Sequence, residues 1–122
     1  MAARTQSLVD SYDKALSAAG FETVRVRREA EEVEREGIRV ATMHRLKGLE
    51  FRRVLLAGVQ AGQVPLAPAT RGSDAALRED LEKQERCLFY VACTRARDEL
   101  AITGNGLRSP FLPAQVGPSD SA

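Results

Sequence analysis

IRVATMHRLKGLEFRRVLLAGV, residues 38–59, decides the architecture. Ile38 to Met43 is largely apolar and reads as a buried strand. Arg52 to Val59 reads as a second, with Val54, Leu55, Leu56 and Ala57 in one apolar run. Such runs fit parallel strands covered on both faces. The short segment between them carries His44, Arg45, Lys47 and Glu50. A polar cluster is thus held between two apolar strands, and Gly48 lets the backbone turn tightly or approach a ligand. Taken alone, the segment also fits a charged connector with one exposed histidine.

Upstream, Leu8, Tyr12, Ala15, Leu16 and Ala19 recur at helical spacing from about Ser7 to Ala19, and Gly20 stands where a C-cap glycine belongs. Phe21 to Arg27 reads as a short strand, with Val24 and Val26 on one face and Thr23, Arg25 and Arg27 on the wetter one. Glu29 to Glu36 carries dense charge of both signs and reads as a solvated helical turn or loop. Downstream, Gly58, Gly62 and Pro65 mark a loop. A long helix is expected from about Asp74 to Ala96. Leu77, Leu81, Leu88 and Ala92 form its apolar stripe, while Arg78, Glu82, Lys83 and Glu85 face water. Glu99 to Thr103 reads as a last strand. From Gly104 the Gly, Pro and Ser content predicts mostly unstructured chain, with Phe111 and Leu112 able to dock locally.

This order is α/β, with parallel strands and crossover helices. Ligands in such sheets gather at the carboxyl ends of strands. That points to the segments after Met43 and after Val59, and to Arg95. The arginine lies where the long helix gives way to a strand. A guanidinium suits phosphate because it is planar, multidentate and always charged. The plainer reading is a residue serving the helix dipole, worth about 0.3–1 kcal/mol.

Composition narrows the function. The chain has 122 residues, room for one domain, with 18 basic and 17 acidic side chains and a net charge of +1. A strongly basic nucleic-acid coat is excluded, so any DNA contact is local. No apolar run approaches the ~18 residues of a membrane span, and no secretory segment opens the chain. Two cysteines without such a segment imply reduced thiols and a cytoplasmic setting. Cys87 and Cys93, with no further ligand nearby, read as small packed residues, and the single histidine excludes most His-based metal sites. Tyr90 reads as a core residue. Aromatic residues are 5% with no Trp, which argues against binding single strands by base stacking.

Two segments together say more. ATMHRLKGLEFRRVLLAG, followed by QERCLFYVACTRARDEL, resembles motifs V and VI of superfamily 1 helicases of the UvrD/Rep type. Thr42, His44, Lys47, Gly48, Leu49, Glu50 and Phe51 match the pattern T-x-H-x-x-K-G-L-E-F. Glu85, Arg86, Leu88, Tyr90, Val91, Thr94, Arg95 and Ala96 match E-R-x-L-x-Y-V-x-x-T-R-A. GVQAGQVP is similar to the family's G-x-x-E-G-x-x-P, with Ala61 in place of the acid. RTQSLVDSYDKALSAAGF resembles the segment before the family's 2B insertion, through Arg4, Thr5 and Leu16.

The resemblance implies a RecA-like α/β domain, a mostly parallel sheet flanked by helices. It would be the second motor domain (2A), abbreviated and without the 2B insertion, over residues 1–108, followed by a flexible tail, 109–122. It implies that Thr42 and His44 meet single-stranded DNA, that Gly48 and Glu50 lie toward the nucleotide, and that Arg95 is the catalytic arginine finger on the γ-phosphate. The implied activity is that of an ATP-dependent DNA helicase. ATP and Mg²⁺ would be bound mainly by an N-terminal RecA-like domain, and the fragment alone would be inactive. The phosphate loop G-x-x-x-x-G-K-[ST] is not in these 122 residues. The other class that fits is a non-catalytic module derived from such a helicase, binding nucleic acid or protein.

Overall fold

The computed structural model describes residues 1–26, 36–67 and 74–113. Five strands form one sheet: β1 (Ala2–Ala3), β2 (Thr23–Arg25), β3 (Ile38–Thr42), β4 (Phe51–Leu56) and β5 (Ala96–Ile102). The order is β2-β3-β1-β4-β5 and every pairing is parallel. Helix α1 (Gln6–Ala18) follows β1, and α2 (Ala75–Cys93) precedes β5. The α/β, mostly parallel expectation holds. The charged run from Glu29 lies, except for Glu36, outside the described residues.

Local chemistry sets the helix ends. The Thr5 hydroxyl accepts from the Leu8 N–H at 3.2 Å and caps α1. The Asp74 carboxylate accepts from the Ala76 N–H at 2.9 Å and caps α2. Gly20, at φ +96°, takes the left-handed turn after α1. On the polar side of α1, Arg25 of β2 reaches Asp10 and Asp13 at 2.5 and 2.7 Å. Hydrogen bonds, to Asp10 from Gln6 and Arg25 and to Asp13 from Thr23 and Arg25, hold both carboxyls below the usual range.

The core has two parts. On the α1 face, Ala3, Val9 and Val40 are buried, with Leu8, Tyr12, Leu16 and Ile38 around them. The larger cluster joins Ala2, Ala41, Met43, Leu46, Val54, Leu56, Val59, Val64, Phe89 and Ala92.

Several expectations need correction. β1 was not anticipated, because two alanines carry no pattern. Glu85 is buried, and Leu77 is 53% exposed. The inward residues of α2 are Glu85, Phe89 and Ala92, while its first ten residues lie beyond or at the margin of the core. Tyr90 is 69% exposed, since a helix that turns Phe89 inward turns its neighbour out. Cys87 is exposed rather than packed. Residues 104–113 have a defined course. Ser109 is buried, its hydroxyl donating to the Val64 carbonyl and accepting from the Phe111 N–H. Phe111 docks as expected, its ring centroid 6.3 Å from that of Phe89 and 5.0 Å from the Arg86 guanidinium.

Candidate functional site

Parallel pairing dictates the path of the segment between β3 and β4. It leaves the carboxyl edge of the sheet at Thr42 and must re-enter at the amino edge at Phe51. A 3-10 turn, Met43–Leu46, begins the return. Met43 and Leu46 are 1% and 4% exposed and fasten the turn to the core, which leaves His44 and Arg45 outward. The Leu49 N–H donates to the Leu46 carbonyl at 3.0 Å. Gly48 takes φ +81° with no atom within 4 Å of a built Cβ, so its backbone angle, not space, requires glycine there.

At the other end of this segment stands Arg95. Thr94 caps α2, its hydroxyl donating to the Val91 carbonyl at 2.8 Å. Arg95 Nη2 donates to that hydroxyl at 3.1 Å, and Nη1 reaches the Leu49 carbonyl at 3.5 Å. The Phe51 N–H donates to the Arg95 carbonyl at 2.9 Å and ties the starts of β4 and β5 together. Arg95 Nε is buried without a hydrogen-bond partner. A buried donor in that state is costly, and an acceptor brought to the guanidinium would relieve it.

The two groups of expected site residues therefore separate. Gly48, Glu50 and Arg95 gather at the amino ends of β4 and β5. Thr42 and His44 sit at the carboxyl end of β3. With about 3.3 Å per residue along a strand, the two edges are roughly 15 Å apart. This corrects the expectation that Arg95 lies with the other ligand-facing segments at the carboxyl edge.

The carboxyl edge holds a group that periodicity missed. Arg4 and Glu85 form a paired contact, Nε to Oε1 at 2.9 Å and Nη2 to Oε2 at 2.7 Å. Glu85 Oε1 also accepts from the Leu66 N–H at 2.8 Å. The pair joins the start of α1, the middle of α2 and the loop after β4. Partial burial, and then the Arg4 charge, lower the His44 imidazole below its ordinary value, with Glu85 opposing. Eighty-one residues separate the partners, so spacing gives no hint of the pair.

Among the described residues, no three His, Cys, Asp or Glu side chains converge as metal ligands. Burial raises the Cys93 thiol, away from reactive thiolate. No described helix is long and apolar enough to cross a membrane.

The model of the UvrD-like helicase C-terminal domain matches residues 11–106. The chain belongs to that family. ATP-dependent DNA helicase PcrA of Bacillus subtilis is 35% identical over 92 residues, 75% of this chain and 12% of the relative. ATP-dependent DNA helicase UvrD2 of Mycobacterium tuberculosis is 40% identical over 76 residues, 62% of this chain and 10% of the relative. This helicase C-terminal domain thus spans about a tenth of the length of the curated relatives it matches. Its fold is similar to the C-terminal domain of a possible DNA helicase from Lactobacillus plantarum WCFS1. The TM-score is 0.67 at 24% identity, over 97% of this chain and 62% of that one.

Proposed function

We propose that this domain is the second motor domain of an ATP-dependent DNA helicase and supplies the arginine finger to an ATP site shared with an N-terminal RecA-like domain. The observation that carries the reading is the contact between Arg95 and the Leu49 carbonyl, which brings the two motif segments together at one edge of the sheet. Arg95, with a buried Nε lacking a partner, is suited to a γ-phosphate oxygen. Glu50 and Gly48 lie on the same side, toward the nucleotide. Thr42 and His44, at the far edge, contact the backbone of single-stranded DNA. One short segment, fastened at Met43 and Leu46, spans the two ligands and moves them together as the cleft closes and opens. Mg²⁺ is held by the partner domain.

The test is DNA-stimulated ATPase activity of the complete motor. Arg95→Ala is expected to lower turnover by about 10³-fold or more while leaving the thermal midpoint nearly unchanged. Arg97→Ala, at an exposed position two residues on, is the control and is expected to be mild. Near wild-type turnover in Arg95→Ala refutes the assignment.

A further inference from the structure

Helix α2 meets the sheet at Glu85, its first buried residue. Three elements converge there. Arg4, directly after β1, pairs with both carboxylate oxygens, and the Leu66 N–H, after β4, donates a further bond to Oε1. Both side chains of the ion pair are largely buried. Hydrogen bonds between charged groups are strong and directional. The later contacts of α2 are different in kind. Phe89 and Ala92 join Met43 and Leu46 in the core, and apolar packing has no preferred direction. The Arg4–Glu85 pair therefore sets the rotation and the axial position of the helix.

Arg95 stands ten residues further along the chain. At 1.5 Å per residue that is about 15 Å, enough to cross the sheet from one edge to the other. The helix is thus a second link between the edges, beside the segment from Met43 to Glu50. Its two ends are held unequally. Both Glu85 oxygens have partners. The Arg95 seat is loose, with Nη1 at 3.5 Å from the Leu49 carbonyl, the long limit of a hydrogen bond, and Nε without a partner. At the other end, the Arg4 and Glu85 charges both act on the His44 imidazole, so the pair stands beside that side chain. A phosphate arriving at His44 attracts Arg4 and repels the Glu85 carboxylate, which strains the pair.

We infer that the Arg4–Glu85 pair senses the DNA strand, and that Glu85, as a positioning residue, passes strand occupancy along α2 to Arg95. Without a strand, the intact pair holds α2 where the Arg95 guanidinium rests on Thr94 and the Leu49 carbonyl. With a phosphate at His44, the pair loosens and α2 shifts as a rigid rod. The guanidinium then leaves its loose seat for the γ-phosphate. Coupling between distant sites needs a rigid link and an element with two arrangements. Here α2 is the link and the Arg95 side chain is the element. The inference rests on the proposed function and adds the route by which DNA regulates the ATP site.

The experiment measures ATPase turnover of the complete motor with and without saturating single-stranded DNA, beside the thermal midpoint. Glu85→Gln keeps the shape of the side chain and an acceptor for Leu66, but lacks the charge that a phosphate repels. It is expected to hold basal turnover within about twofold and to lose about tenfold or more of the DNA stimulation. The double variant Arg4→Gln with Glu85→Gln leaves no buried charge unpaired, and so serves where Glu85→Gln alone fails to fold. It is expected to lose the same stimulation. Full stimulation in either folded variant overturns the inference. So does a proportional loss of basal and stimulated turnover, or a double variant that does not fold, since each makes the pair merely structural. Arg95→Ala separates the two readings. If it keeps its turnover, the proposed function falls and the inference with it. If it loses turnover while Glu85→Gln stays fully stimulated, the inference falls alone.

Discussion

Glu85 occupies a helix position that spacing alone gives to water, and it is 8% exposed because Arg4 and the Leu66 N–H meet both of its oxygens. Removing one partner of a buried pair costs about 3–5 kcal/mol, since the other charge is left uncompensated. Glu85→Ala is therefore expected to lower the thermal midpoint by about 10 °C or more. The pH dependence has a definite sign. Burial pushes the Glu85 carboxyl up, but the Arg4 and Leu66 hydrogen bonds and the Arg4 charge outweigh it, and the carboxyl titrates below its ordinary value of 4.5. The unfolded chain then binds more protons than the folded one just below that value. The stability from this group is present above 4.5 and lost as the pH falls through the lower folded value. Melting curves from about pH 6 to about pH 3 should show a fall in wild type that is shallower in Glu85→Gln. At the opposite edge, Arg95→Lys is expected to restore little of the ATPase lost in Arg95→Ala. An ammonium can reach one oxygen but does not reproduce the planar fork that touches Thr94 Oγ1 and the Leu49 carbonyl.

Elements differ in how openly the sequence displays them. β3 and β4 were legible because apolar runs between turn residues have few other readings, and α1 because its stripe ends on a glycine. β1 was illegible, since two alanines acquire meaning only between strands 38–42 and 51–56. The extent of the buried face of α2 was misread for a similar reason. A stripe of leucines suggests burial along the whole helix, but nothing local says that the sheet underlies only its later turns. Of the site, the residues were legible and the layout was not. Motif spacing says nothing of the route a chain must take between parallel strands. Two substitutions test the element scale by thermal or chemical melting. Thr5→Ala removes the α1 cap and is expected to cost about 1 kcal/mol. Gly48→Ala keeps its space but forces a side chain to φ +81°, at about 1–2 kcal/mol. Because that turn joins the two edges, the same substitution in the complete motor is expected to reduce DNA-stimulated turnover more than the stability loss explains.

The whole molecule is small, nearly neutral and without a phosphate loop in its 122 residues, at a net charge of +1. Calorimetric titration of this chain with Mg·ATP is expected to show no micromolar site, because the backbone cradle and lysine that hold phosphates are not among its residues. Fluorescence anisotropy with a labelled single strand is expected to show weak, sequence-neutral binding with a shallow logarithmic salt slope, since few phosphates can be engaged. Tight binding that survives high salt would contradict the assignment of Thr42 and His44. The Ser109–Phe111 contact bears on how the domain should be cut for experiment. Ser109 and Phe111 act as a clasp across Val64, Phe89 and Arg86, joining the loop after β4 to the later turns of α2. A version trimmed after Arg108 would uncover Phe89 and part of the loop at once. Such a version should be sticky in solution and sensitive to protease beside the intact chain.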